Sequence, residues 1–294
     1  MQTSLPGRTA TGAPLCDRLK RRFLTLARGG RMANWGIPDT RQSGYLLRMI
    51  LQDRIPYDIH PTPRLPGIKP LNPAEWLQVD EAYAAQMAQR RHLLDTRRDA
   101  VLALDPQAVP AARELSARVL AGLPAGFTVT GTAVICPDGT TVARDANDPL
   151  GTLGRIVQED LCLMEKRGAE HVLTGAVLCF PASWRLDEKF MRPMTAIHDP
   201  VDSYDADIAR RVQRLFDGVR AGQPLWRFNA FPYASAELHQ PRSVTQRRAE
   251  VDPDSAPFWR SERQCLVRLP ESQAVVFSIH TYVVQSAAIT AGTG

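Results

Sequence analysis

The chain predicts an α+β fold, an antiparallel sheet packed against helices in a single domain. Three observations lead there. Apolar residues recur at helical spacing before residue 121 and again over 204–221. After Leu123-Pro124 the pattern changes to β-branched runs with the two-residue alternation of strands. Those runs are joined by tight turns, which makes neighbouring strands antiparallel. The P-loop and GxGxxG patterns of nucleotide-binding parallel sheets are absent, as is any internal repeat.

In chain order, residues 1–48 read as a basic, flexible N-terminal extension. MQTSLPGRTATGAP is rich in Ser, Thr, Gly and Pro, and LCDRLKRRFLTLARGGRM has the spacing of a short basic helix closed by a glycine pair. Such a start can also resemble an organelle transit peptide, and Met49 is a second possible start. Residues 54–72 carry five prolines, which deny helix and predict an extended arm. Asn72-Pro73 predicts an N-cap and first turn for a long helix reaching about Leu104. A second helix is expected over about 109–120.

FTVTGTAVIC and TTVARD predict a hairpin around Pro137-Asp138-Gly139, where Pro presets φ and Gly accepts a positive one. Residues 149–167 are expected as a helix, from Pro149 to Lys166-Arg167-Gly168. HVLTGAVLCF reads as a buried strand and 204–221 as an amphipathic helix. PLWRFN reads as a short strand and 231–257 as an irregular loop. WRSERQCLVRLP and AVVFSIHTYVV read as two strands turning at Glu271-Ser272. The folded domain is placed at 49–286, with 287–294 a frayed tail.

Charge is unevenly spread. The first 50 residues hold nine of the 36 basic residues and two of the 31 acidic ones, so the net +5 belongs to the N-terminal arm and the body is near neutral. A nucleic-acid footprint needs a basic face on the folded domain, so no nucleic-acid partner is expected. No apolar run approaches the roughly 18 residues of a membrane span, so neither is a membrane. Five scattered cysteines with no CxxC pair point to reduced thiols and a cytoplasmic setting.

Several residues could carry chemistry. His198, in TAIHDPV, precedes a proline and is expected in an extended turn, where it could be a haem ligand, a general base or a structural histidine. His280 shares a strand face with Val276 and Ser278 and could look into a ligand cavity or be structural. Period two places Arg260, Glu262, Gln264 and Arg268 on one face of one strand. That face is either solvated or the wall of a polar pocket, and Arg227 poses the same choice.

The motifs QEDLCLMEK, CFPASW, DEKFMRPMTAIHDPV, RFN, RSERQCLVRLPES and VVFSIHTYV, in this order between about Ile55 and Val284, resemble the haem-dependent oxidative N-demethylase alpha-subunit-like family. The resemblance implies a PAS-like antiparallel sheet with flanking helices that holds haem b. It implies O₂-dependent oxidative N-demethylation of a small amine, with formaldehyde as product. Electrons would come from NADPH through FMN and a 2Fe-2S centre on a partner reductase subunit, leaving this chain as the haem component. A haem-binding sensor or carrier without turnover is the alternative.

By position in the motifs, His198 is implied as the ligand to iron. Lys189, Arg260, Arg268 and His280 are candidates for holding the cofactor. Arg227, Asn229, Glu262 and Gln264 are candidates for the catalytic wall. Two positions depart from the family pattern. Asp202 stands where a proline is usual, and Ala230 follows Asn229 where tryptophan is common. Loss of that aromatic is expected to alter or enlarge the pocket.

Overall fold

The computed structural model describes residues 49–59, 67–198, 206–246 and 249–290. In chain order the elements are β1 (Lys69–Pro70), α1 (Tyr83–Thr96), α2 (Arg98–Val101), β2 (Leu102–Leu104), α3 (Val109–Ala121), β3 (Thr128–Val129), β4 (Ala133–Ile135), β5 (Thr141–Ala143), α4 (Pro149–Gly154), β6 (Asp160–Arg167), β7 (Glu170–Val177), α5 (Leu186–Lys189), α6 (Met194–His198), α7 (Ala206–Gly218), β8 (Leu225–Tyr233), β9 (Phe258–Arg268), β10 (Val275–Gln285) and α8 (Ser286–Thr290). Among the described residues, seven strands form one sheet in the order β1-β8-β9-β10-β6-β7-β2, and β3-β4-β5 form a small second one. Every strand pair is antiparallel. The α+β expectation holds.

The long strands β9 and β10 are paired from Phe258↔Gln285 to Arg268↔Val275. Both of their faces are buried, because helices cover the sheet on both sides. On one face Leu161, Leu163, Val267 and Val276 pack with Met87 and Leu94 of α1, Leu115 of α3 and Leu150 and Leu153 of α4. On the other, Cys162, Met164, Leu266 and Val275 pack with Leu186 of α5, Met194 of α6 and Phe216 of α7. We call these the α1 face and the α6 face.

Double burial explains the largest departure from the sequence expectation. Residues 149–167 are not one helix. The helix stops at Gly154, and Asp160–Arg167 is a central strand. Leu161 and Leu163 point to one core and Cys162 and Met164 to the other, so the run loses the alternation that marks a half-buried strand. Lys166 and Arg167 close β6, paired with His171 and Glu170, and the chain turns at Gly168-Ala169, with Gly168 at φ +67, rather than ending a helix. A bulky side chain at Gly154 is excluded too, since a Cβ there would lie 2.5 Å from Val177 Cγ2.

Other boundaries move for local reasons. Asn72 does cap, accepting from the Ala74 N–H, but what it caps is a single 3₁₀ turn, Pro73–Glu75, and α1 begins at Tyr83. The strand expected from FTVTGTAVIC breaks at Gly131 into β3 and β4. PLWRFN belongs to a nine-residue strand, and Ser286–Thr290, expected to fray, is a helical turn. Cys136, Cys162, Cys179 and Cys265 are buried free thiols. Burial pushes the Cys265 and Cys179 thiols up, to about 11 and about 12, which makes them inert fillers of the core. Among the described residues no helix is long and apolar enough to cross a membrane.

Candidate functional site: a polar wall on the α6 face

Register fixes which side chains share the α6 face. Arg227 lies opposite Gln264, Asn229 opposite Glu262 and Phe231 opposite Arg260. On the other side of β9, Gln264 lies opposite Ile279 and Glu262 opposite Thr281. Directly paired residues in an antiparallel sheet point to the same side, so Arg227, Asn229, Arg260, Glu262, Gln264, Arg268 and Thr281 line one surface. That surface also carries Leu266, Phe277 and Cys162 of the second core. The alternation read from the sequence is what the strand shows, and the surface is buried rather than solvated. Its arginines nevertheless have different fates.

At the centre, Glu262 Oε2 accepts from Asn229 Nδ2 and from Gln264 Nε2, each at 3.0 Å. Asn229 Oδ1 in turn accepts from the Glu262 N–H at 3.1 Å, which fixes the orientation of its amide. The carboxylate is therefore held in one geometry by two neutral donors on one oxygen. No described residue donates to Oε1. Arg227 stands beside this group without an ion pair to it among the described residues. Its Nε is buried with no hydrogen-bond partner, as is Thr281 Oγ1. Burial lowers the Arg227 pKa, with Glu262 opposing the shift. Unpartnered buried polar atoms are uncommon in a finished fold; here Thr281 lies opposite Glu262 and Arg227 lies one pair along, opposite Gln264.

Arg260 and Arg268 are committed elsewhere. Arg260, 2% exposed, donates to the carbonyls of Phe180 (2.7 Å) and Leu238 (3.0 Å), tying the end of the β7 segment to the 236–240 loop. Arg268 donates to the carbonyls of Phe216 (2.5 Å) and Val219 (2.5 Å), at the C-terminal end of α7, and to Gln273 (2.6 Å). A cation at a helix C-terminus satisfies carbonyls that the helix cannot. Every donor nitrogen of Arg268 is spent on a main-chain oxygen, whereas Arg260 keeps a buried Nε with no hydrogen-bond partner.

Over the same face lie α5 and α6. Lys189 ends α5 with its ammonium 5.0 Å from the Trp184 ring centroid, and burial lowers its pKa. α6 is seated by Met194 and Ile197 in the apolar cluster of the α6 face. Its last residue is His198, expected in an extended turn and found instead at a helix end. The His198 side chain and Asp202 lie outside the described residues.

Ala230 is not part of this wall. Strand parity turns it to the α1 face, opposite Ser261. Ser261 Oγ lies 2.8 Å from the hydroxyl of Tyr57, whose ring packs on Phe228 with centroids 4.6 Å apart. Parity therefore sets Ala230 on the face away from the wall, in register with the serine that meets Tyr57.

His280 belongs to that opposite face as well, and it does not look into a cavity. Nδ1 lies 3.1 Å from Glu159 Oε1 and Nε2 3.0 Å from Asp80 Oδ2. Gln158 bonds Asp80 and Gln86, and Gln52 bonds Asp80 and the Thr281 carbonyl. Burial alone would lower the His280 pKa, but the bonds to Asp80 and Glu159 outweigh it and hold the ring up at about 9. With both nitrogens donating to carboxylates, the ring has no lone pair for iron. Gln158 and Glu159 stood in the QEDLCLMEK run within the expected helix 149–167 and Asp80 drew no attention, since nothing local marks residues that meet across 121 positions. The unpartnered hydroxyl of Thr281 shows only in the fold.

Residues 67–293 match the family described as haem-dependent oxidative N-demethylase, alpha subunit-like. The chain belongs to that family. The match spans β1 through α8 and therefore both faces of the sheet. The residues of the α6 face fit the anionic group that the family's cofactor would present. Arg227 has a buried, unpartnered Nε, and Lys189 is a half-buried cation with no ion pair among the described residues. Both suit propionate carboxylates.

Proposed function

We propose that this chain is the haem-binding component of an oxidative amine N-demethylase. The observation that carries the reading is the polar wall on the α6 face, where Glu262 is fixed by two amides while Arg227 Nε and Thr281 Oγ1 stay buried and unpartnered. That wall falls within the region matched to a haem-dependent family. A seven-stranded antiparallel sheet covered by short helices supports a PAS-like reading of the fold.

In this reading His198 is the ligand to iron. The backbone of α6 brings it to the face that carries the wall. Arg227 and Lys189 neutralise propionates. Haem, when bound, supplies O₂ activation and accepts electrons from the N-methyl group. Asn229 and Gln264 hold Glu262 in place, and the apolar residues Phe277, Ile279 and Cys162 keep water from the wall. A partner subunit carrying FMN and a 2Fe-2S centre, reduced by NADPH, delivers electrons. The cytoplasm is the compartment in which the buried thiols stay reduced.

The test is a haemin titration of the purified chain followed in the visible region. The reading expects a Soret band saturating at one haem per chain, altered in position and intensity by His198→Ala. A chain that shows no Soret band after reconstitution contradicts the haem reading. An unchanged spectrum in His198→Ala removes the ligand assignment. Amine-dependent O₂ uptake with a suitable reductase distinguishes an enzyme from a haem sensor or carrier.

A further inference from the structure

We propose that His171 and Gln213 form an acid-sensitive latch, which holds α7 on the α6 face at neutral pH and releases it in acid. The inference goes beyond the haem reading and uses no residue of the polar wall around Glu262. His171 is fully buried in β7, with its ring centroid 5.4 Å from that of Phe216 in α7. Gln213, about one turn earlier on that helix, grips the main chain and the ring together. Its Oε1 accepts from the His171 N–H at 3.2 Å, and its Nε2 lies 2.9 Å from Nδ1.

Those two bonds fix the protonation state of the ring. With the amide oxygen facing the His171 N–H, the group facing Nδ1 is the NH₂, which only donates. Nδ1 therefore accepts, and the neutral ring carries its proton on Nε2, which is buried without a partner. A second proton would set N–H against N–H at Nδ1. Turning the amide over would let Oε1 accept from a protonated Nδ1, which favours the charge, but it would set NH₂ against the His171 N–H. No orientation of Gln213 satisfies the charged residue.

Burial lowers the pKa of the ring from 6.5. Of the charged groups around it, Asp217 of α7 favours the imidazolium, while Arg268 of β9 and Lys166 of β6 oppose it. The other ties of α7 do not titrate in this range. Arg268 donates to the carbonyls of Phe216 and Val219 at the C-terminal end of the helix. Lys166 lies 2.6 Å from Asp217 and holds that carboxyl below its usual value. Acid therefore frees the helix upstream of an end that stays pinned. Once released, the ring returns towards 6.5 and binds more protons than the latched one. The released population then grows about tenfold per pH unit below 6.5, until the latched ring itself titrates.

The experiment is amide deuterium exchange of the full chain from about pH 7 to about pH 5, corrected for intrinsic exchange rates, with α3 as the reference. Protection over Ala206–Gly218 is expected to fall about tenfold per pH unit in acid while α3 holds constant. Gln213→Glu is expected to reverse the trend, because its second carboxylate oxygen accepts from the imidazolium. His171→Phe keeps a ring against Phe216 but removes the acceptor, so α7 protection should be low and flat with pH. If His171→Phe does not fold, Gln213→Glu decides alone, since that side chain is only half-buried. Protection of α7 that is flat with pH in the wild type overturns the latch. So does a fall of equal size in wild type and Gln213→Glu, or a fall that α3 shares.

Discussion

On the α1 face, the polar cluster around His280 closes on itself. The ring donates to two carboxylates, those carboxylates accept from Gln52, Gln158 and the Gln78 N–H, and Gln86 completes the set. Next to it Arg90, fully buried, donates to Asp160 and to the carbonyls of Gly154, Gln158 and Glu159. Asp160 also accepts from the N–H groups of Cys179 and Phe180. Glu159 Oε2 is the atom of this set left without a partner. On the α6 face of the same two strands, Glu262 has one oxygen saturated and receives no bond from a described residue on the other, with Thr281 opposite it and Arg227 one pair along, both carrying unpartnered buried atoms. The contrast teaches how to tell a structural polar core from a binding wall. Both are buried and both hold carboxylates, but the first spends its donors and acceptors internally apart from Glu159 Oε2, and the second leaves Arg227 Nε and Thr281 Oγ1 open side by side in the register.

If that distinction holds, the two faces respond differently to mutation. The largest effect is expected at Arg90. Arg90→Met leaves Asp160 charged and buried without its cation, so a loss of roughly 3–5 kcal/mol is expected in urea unfolding. His280 comes next and is read through pH. Its folded pKa, about 9, lies above the unfolded value of 6.5. Its contribution is therefore fully present below about pH 6.5 and lost as pH rises through about 9, on the order of 3 kcal/mol in all. Asp80 runs the other way: its pKa is lowered in the fold, chiefly by the bond to His280 acting against burial. Its share is present above the unfolded value of 3.8 and fades as pH falls through the lower folded one. Stability measured against pH should fall on both sides of a plateau, and His280→Gln should remove the alkaline arm.

Smaller effects sharpen the comparison. Arg268→Ala frees the carbonyls at the end of α7 and is expected to cost about 1–2 kcal/mol while leaving haem affinity unchanged. A large loss of haem affinity there would restore Arg268 as a cofactor residue. Smallest of all should be the stability change in Glu262→Gln, within about 1 kcal/mol, because the amide retains an acceptor oxygen for its neighbours. Destabilisation matching that of Arg90→Met would place Glu262 among the structural carboxylates and erase the difference between the faces.

What could be read in advance follows the range of the signal. Period two in WRSERQCLVRL placed Glu262 and Gln264 together, and the RFN run supplied Asn229, because strand parity is local. The fate of each arginine was not local. Arg260 and Arg268 look like Arg227 in sequence, and what separates them is a set of carbonyls contributed by residues 180, 216, 219 and 238. The helix expected over 149–167 failed where a strand buried on both faces hides its own period. For His280 the choice between a cavity and a structural place stayed open because its two partners lie 121 and 200 positions away.

The central claim is that ligand is taken on the α6 face. Deuterium exchange of the full chain with and without haem, read by mass spectrometry, tests it most directly, since different elements cover the two faces. The account predicts slowed exchange in α5 and α6, at 186–189 and 194–198, with α1 and residues 49–59 unchanged. Protection confined to α1 and residues 49–59 would contradict it and move the site to the face of His280.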